Sequence, residues 1–347
     1  MLSEGHTGTT LAVVGSFSID SVLLRDGRPL TGKIGGNAVW SSLGALISGN
    51  APRVLSIVGA DYPDEVLGVL SGAGIDVDSV VRLKREHPVR VTFAHLANGN
   101  RMQPVPYALL DGLPEAVRRE FIDTTGQPEI LRLGAPRGED IPEAWLTEVD
   151  RWHLPLLPLT RHRSVVGRLA AAAGHVHSDC PARSDLVGDP ITRLAPTLPQ
   201  IDVFLPSTSD FEVIAPHQPT ALTVRELMGA GARAIVLKAG ADGVHVYDGA
   251  DAWAVPAYPD AAVDPTGAGD AFCGGFLVGL AESGDLVAAA ALGSAAASFA
   301  VATENPLTLA KIDPEQTRSR ARDLLSRATR SAELSLILNT RTGRYEC

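Results

Sequence analysis

The sequence predicts an α/β protein: an open, mostly parallel sheet covered by helices on both faces, with a small β element beside it. Short apolar runs ending at glycine or turn residues recur along the chain, the pattern of strands buried on both faces. Segments of helical period fall between several of them, as βαβ units require. One stretch breaks the rhythm, where two strand-like runs flank Asn98-Gly99, the signature of a tight hairpin.

Leu11-Ala12-Val13-Val14-Gly15 reads as the first strand and Ala38–Ser48 as the helix after it. Arg53–Gly59 is a second strand and Asp64–Gly72 a second helix. Further strands are expected at Ile130–Leu133, Arg151–Leu154, His175–Ser178, Val203–Leu205 and Ala234–Leu237, and a helix from Asp270 to about Glu282. Ala288–Ala302 is the most apolar stretch, rich in Ala, Gly and Ser and too short to span a bilayer. Val89–Leu96 and Arg101–Val105 pair about a type I′ turn, and residues 18–34, poor in helix signals, add further strands. Residues 18–34 and 88–108 together form a discontinuous lid over a cleft. One domain is expected over residues 10–335, between a flexible N-terminus (1–9) and a C-terminal tail (336–347).

Composition narrows the function. The 347 residues suit two or three domains of roughly 150 residues, although a single α/β domain can absorb far more. Hydrophobic residues at 45% and charged ones at 20% mark a globular chain with a large core. Forty acidic against 30 basic side chains, a net charge of −10, argue against a nucleic-acid or membrane-surface binder. Cys180, Cys273 and Cys347 lie far apart without CxxC spacing, which excludes a disulfide framework or zinc ribbon and suits a reducing cytoplasm. The first residues lack the basic region of a secretory signal.

The most informative run is Val263-Asp264-Pro265-Thr266-Gly267-Ala268-Gly269-Asp270-Ala271-Phe272-Cys273-Gly274-Gly275-Phe276. Its glycines bring successive backbone N–H groups together at a helix N-terminus, which makes an anion site. A carboxylate there repels a phosphate held at rest. Asp270 makes chemical sense if it accepts the proton of a hydroxyl attacking phosphorus while the N–H groups hold charge on the transferred group. On chemistry alone, Asp270 as a mere helix cap stays open.

The whole run resembles the second signature of the ribokinase-like, or pfkB, carbohydrate kinases, and other segments agree in order. Val14–Asp20 is similar to the family's first strand, which ends in a substrate-contacting Asp; Gly35-Gly36-Asn37-Ala38 resembles its first signature. Val58-Gly59-Ala60-Asp61 with Gly74-Ile75-Asp76-Val77, Ser178-Asp179-Cys180-Pro181, and Val236–Val244 match further stretches, so the resemblance covers about residues 10 to 310. It implies a ribokinase-like three-layer α/β/α sandwich with a β lid, and an ATP-dependent kinase acting on a hydroxyl, primary in the main reading, of a sugar or nucleoside-like acceptor. Asp270 becomes the general base, with Gly267, Ala268 and Gly269 stabilising the phosphoryl group. Asp20, at the carboxyl end of a parallel strand, and Gly35, Gly36 and Asn37 orient the acceptor. Ser209, Lys238, Gly240, Asp242, Gly243, Thr266 and Ser294 bind the nucleotide, and Glu212 stands in the outer shell of Mg²⁺. By analogy a monovalent cation such as K⁺ sits near Asp264, and exposed lid strands pair two subunits.

Two departures stand out. Ser209 occupies the place of the family's Asn in Asn-x-x-Glu, and Trp40 the place of an Asn in the first signature. Other patterns fail on inspection. Gly27–Ile34 lacks the hydroxyl residue of a P-loop, and Gly267-x-Gly269-x-x-Phe272 lacks the third glycine of a dinucleotide fingerprint. His175, His177 and Asp179 alternate like metal ligands but read better as a polar cleft lining. Two alternatives stay open: a non-catalytic sugar or nucleotide sensor, and a kinase for a phosphorylated sugar served by Lys33, Arg90 and Arg101.

Overall fold

The computed structural model describes residues 8–96, 101–172, 174–249, 251–259 and 263–331. In chain order the strands are β1 (Leu11–Val14), β2 (Ser18–Leu23), β3 (Pro29–Gly35), β4 (Arg53–Leu55), β5 (Ile57–Val58), β6 (Val81–Arg82), β7 (Arg90–His95) and β8 (Arg101–Met102). There follow β9 (Arg151–Leu154), β10 (His175–Ser178), β11 (Val203–Phe204), β12 (Ile235–Lys238), β13 (Val244–Tyr247), β14 (Ala252–Val255) and β15 (Thr329–Arg330). The helices are α1 (Asn37–Ile47), α2 (Asp64–Gly72), α3 (Glu115–Arg118), α4 (Pro128–Leu133), α5 (Trp145–Glu148) and α6 (Leu159–Leu169). The later ones are α7 (Pro190–Leu194), α8 (Thr208–Ile214), α9 (Thr220–Gly229), α10 (Ala268–Ser283), α11 (Leu286–Ala300) and α12 (Pro314–Ser326).

The main sheet runs β15-β14-β13-β12-β11-β10-β9-β1-β4, parallel from β12 to β4 and antiparallel from β12 to β15. Alternate residues of its strands enter different cores. Val203, Leu205 and Val236 pack on Phe272 and Phe276 of α10, whereas Phe204, Ile235 and Leu237 pack on Phe211 of α8 and Val224 of α9. Period-two alternation with both faces apolar requires a helical layer on each side, so the body is an α/β/α sandwich.

A second sheet, β3-β2-β7-β8, forms the lid. The expected hairpin is present, with Ala94 opposite Met102 and His95 opposite Arg101; Asn98-Gly99 lies outside the described residues. The near-P-loop Gly27–Ile34 belongs to this lid, because Pro29–Gly35 is β3 and is not followed by a phosphate loop. Three expectations change. Ile130–Leu133 lies in α4 and is not a strand: Pro128 and Glu129 open a helix there, and the apolar run is too short to dictate a strand. Arg53–Gly59 divides at Ser56 into β4 and β5, which join different sheets. Asp20 sits within lid strand β2, paired across to Val91 and Lys33, and not at the end of β1, which stops at Val14.

Among the described residues four histidines are buried. His153 and His177 are neighbours across β9 and β10, His162 lies 2.8 Å from the Ser178 hydroxyl, and His87 Nδ1 accepts the Gly59 N–H at 3.0 Å. Burial lowers His87 and His162 to about 4 and His153 to about 3, and holds His177 well below the usual value. Each imidazole is neutral when folded but gains a proton in the unfolded chain below about pH 6.5. Stability present above that pH is therefore lost as pH falls toward 4, His87 and His162 each costing on the order of 3 kcal/mol. Melting temperature should fall steeply between pH 6.5 and 4.5, and His162→Gln should flatten the slope. A melting temperature independent of pH over that range rules the account out.

Candidate active site

The acceptor-side residues gather where the lid meets α1. Gly36 precedes α1 with φ 102, and a Cβ there would stand 2.5 Å from the Ser16 carbonyl oxygen. A Cβ on Gly35 would lie 2.1 Å from Asp20 Oδ2, so the Asp20 carboxylate rests against the bare glycine backbone. The Ser18 hydroxyl donates to Asp20 Oδ1 at 2.6 Å. Asn37 is committed to the backbone: Oδ1 accepts the Ser16 N–H at 2.9 Å and Nδ2 donates to the Leu156 carbonyl at 2.7 Å. One of its N–H groups is left for an acceptor. Tyr62, which sequence reasoning passed over, lies behind this group with its ring 5.6 Å from Phe17 and 4.9 Å from His87. Among the described residues its hydroxyl has no hydrogen-bond partner, and burial together with the Asp20 carboxylate pushes the phenol well above its ordinary value.

Gly267 adopts φ 76 at the start of α10, and Gly269 and Asp270 follow in the first turn, where N–H groups have no intrahelical acceptor. Ahead of the turn, Asp264 Oδ1 accepts the Thr266 N–H at 2.9 Å, and its Oδ2 lies 3.8 Å from His95 Nε2 of the lid. A Cβ on Gly267 would fall 2.1 Å from the ring of Trp40. One would meet Ala271 from Gly44 at 2.2 Å, and one on Gly274 would meet the Ala45 nitrogen at 2.7 Å. The contacts advance together along α1 and α10, so these helices run parallel and their N-termini open side by side. Asp20, Gly35, Gly36 and Asn37 at one mouth thereby face the glycine turn and Asp270 at the other.

Of the residues expected to bind the nucleotide, Ser209 follows the carboxyl end of β11 and Lys238, Gly240, Asp242 and Gly243 lie at or after that of β12. Lys238 closes β12, its N–H bonded to the Pro206 carbonyl. Its Nζ donates to Asp179 Oδ2 at 2.8 Å and Cys273 Sγ at 3.4 Å, and lies 3.8 Å from a Cβ placed on Gly269. Burial opposes the Lys238 charge, but Asp179, Cys273 and Asp210 raise it above the usual lysine value; burial lifts the Asp179 carboxyl, with Lys238 opposing. Ser209 and Glu212 are exposed on α8. Asp210 between them accepts from Ser207 N–H at 2.7 Å, Ser207 Oγ at 2.6 Å and Arg183 Nε at 2.7 Å. Gly240, Asp242 and Gly243 form the turn from β12 to β13; Gly243 takes φ 89, and a Cβ there would stand 2.2 Å from the Val255 carbonyl oxygen. Ser294, on α11 packed against β13 and β14, is buried, with no partner for its hydroxyl among the described residues.

Other candidates are engaged elsewhere. Lys33 lies 3.5 Å from Glu304, and Arg90 pairs with Asp61. His175 pairs with Asp202 at 3.5 Å, and His177 meets the Phe276 ring edge-on at 5.9 Å, so the alternating triplet does not converge. The sequence singled out Asp179 and Lys238 separately but missed that they pair, and it missed Arg183. No helix among the described residues is long and apolar enough to cross a membrane.

Comparison with known proteins identifies the family and the fold. The pfkB family carbohydrate kinase pattern matches residues 9–311. A cytidine kinase of Thermococcus kodakarensis is 26% identical over 291 residues, 82% of this chain and 92% of that protein. A ribokinase of Bacillus subtilis is 25% identical over 308 residues, 84% and 92% of the two chains. A putative ribokinase II of E. coli, solved with ATP and Mg²⁺, shares the fold with a TM-score of 0.69 at 17% identity, covering 90% of this chain and 100% of that one. The chain belongs to the pfkB family of carbohydrate kinases and is a phosphotransferase with an alcohol group as acceptor.

Proposed function

We propose that the protein transfers the γ-phosphoryl group of ATP to a primary hydroxyl of a sugar or nucleoside-like acceptor, with Asp270 as general base. The observation that carries this reading is the parallel packing of α1 and α10, which sets the acceptor residues beside an anion turn and a carboxylate. The acceptor oxygen forms a bond to the γ-phosphorus as the bond to the β–γ bridging oxygen breaks. ADP leaves with that electron pair, and the hydroxyl proton passes to Asp270. The N–H groups of Gly267, Gly269 and Asp270 take up charge on the phosphoryl oxygens, while that of Ala268 donates to the Pro265 carbonyl at 3.3 Å and closes the turn. Asp20 accepts from acceptor hydroxyls, with Gly35, Gly36 and Asn37 allowing close approach.

Lys238, Thr266, Ser209, Gly240, Asp242, Gly243 and Ser294 line the nucleotide side in this reading. The partnerless Ser294 hydroxyl supports it, since a buried hydroxyl without a bond costs about 1–3 kcal/mol unless a ligand meets it. The donor set also fits a metal held mainly by phosphates. Asp210 is saturated, while exposed Glu212 makes no ion pair among the described residues and can reach a hydrated ion. Mg²⁺, bound in this way, supplies neutralising charge at the β- and γ-phosphates. The sensor alternative gives no reason for a carboxylate at the anion turn.

A mass-spectrometric screen of sugars and nucleosides with Mg²⁺-ATP should find a product carrying one added phosphoryl group. Asp270→Asn should retain ATP binding but lose about 10²- to 10⁴-fold in kcat. Binding of ATP and acceptor without any turnover by the parent would favour the sensor. A second test addresses the geometry: Gly267→Ala puts a methyl into Trp40 and strains φ, costing about 1–3 kcal/mol. Melting temperature and kcat should both drop; parental values for both would show that α1 does not fix the turn.

A further inference from the structure

Lys238 and Asp179 form a buried ion pair at the cleft floor, each side chain 11% exposed. Such a pair is poor value for stability alone, since apolar residues of similar volume often serve as well. Its placement suggests another use. Asp179 is itself held, because Oδ1 accepts the Cys180 N–H at 2.8 Å while Oδ2 faces Lys238. Among the described residues Lys238 Nζ makes two hydrogen bonds, to Asp179 and Cys273, so one of its three N–H groups is uncommitted. That ammonium stands 3.8 Å from where a Cβ of Gly269 would be, at the turn that receives the transferred group. Cys273 lies on α10 one turn beyond Gly269, so strand and helix together fix the Nζ position.

We propose that Asp179 is a positioning residue that holds the Lys238 ammonium against the anion turn, and that Lys238 places its charge on the phosphoryl group in transfer. The inference rests on the kinase reading and deepens it. A fixed cation at this point opposes the negative charge shared by the phosphoryl oxygens and the departing β-phosphate, without rearranging during the reaction. It also strengthens the side of the cleft where Ser209 offers only a short hydroxyl: the Lys238 N–H bonds the Pro206 carbonyl, immediately ahead of α8.

The test is a double-mutant cycle of Lys238→Met and Asp179→Asn, assayed with Mg²⁺-ATP and the acceptor found by the screen. Lys238→Met should lower kcat by about 10²-fold or more. Asp179→Asn should lower kcat at least tenfold with the acceptor KM changed less than twofold. The double variant should be no worse than Lys238→Met alone, because Asp179 acts through Lys238. Losses that multiply, or an Asp179→Asn kcat equal to the parent's, overturn the proposal. Asp179→Asn leaves a buried ammonium unpaired and lowers the melting temperature; the double variant carries neither charge and should recover it, so the comparison with Lys238→Met survives a poorly folded single variant. A parent that phosphorylates nothing overturns the kinase reading instead. Calorimetric binding of tripolyphosphate then decides the pair: at least tenfold weaker binding by Lys238→Met supports it, and unchanged binding overturns it.

Discussion

The close approach of α1 and α10 is the constraint on which the site depends. A Cβ on Gly44 would stand 2.2 Å from the Ala271 carbonyl oxygen, and one on Gly274 1.9 Å from that of Ser41. The two backbones touch where side chains would otherwise separate them. Glycine inside a helix costs about 1 kcal/mol relative to alanine. Here that cost is offset by dense packing of Ala271, Phe272 and Phe276 against their neighbours and by the alignment of two helix starts. Trp40 completes the arrangement by covering Gly267. At the place where the resemblance led us to expect an Asn, this chain has an indole that braces the glycine turn.

The second requirement is electrostatic. Two carboxylates, Asp179 and Asp210, stand close enough at the ends of β10 and α8 to raise the Asp179 carboxyl, and each has its own cation, Lys238 and Arg183. The pairing keeps like charges from dominating the cleft, which in the proposed kinase admits a polyanion. It also lies where an open α/β sheet binds ligands, beyond the carboxyl ends of its strands. The lid is tied to the same region by His95 near Asp264 and by Lys33 near Glu304, so movement of β3 and β7 reaches the segments flanking α10 and α11 directly.

Much of this was legible locally. Gly267 and Gly36 need positive φ, and glycine followed by a helix start is readable from neighbouring residues. The strands at 11–14, 203–204 and 235–238 were legible because buried parallel strands are largely continuous apolar runs. What escaped depends on residues far apart in sequence. Asp179 and Lys238 are 59 positions apart, and nothing near either announces the other. Asp20 was misplaced because the family pattern fixes the residue but not the strand: Gly15, Ser16 and Phe17 interrupt β1 before it. Segment 130–133 was misread because four apolar-rich residues fit either period, and the proline ahead of them decided for helix.

Acceptor identity escaped for a related reason. The Asn37 amide, the most polar group of the first signature, mainly ties Ser16 to Leu156, and Trp40 faces away into the phosphoryl turn. In the proposed kinase, discrimination therefore falls to Asp20 and the groups beside it. Of these, Ser18 is already bonded to the carboxylate, whereas the Tyr62 hydroxyl is buried and without a bond. A polar atom in that state rejects acceptors that leave it unmet more strongly than an apolar wall rejects an extra group. Selectivity built this way depends on three-dimensional neighbours of Asp20, which no motif within residues 14–20 or 35–38 encodes.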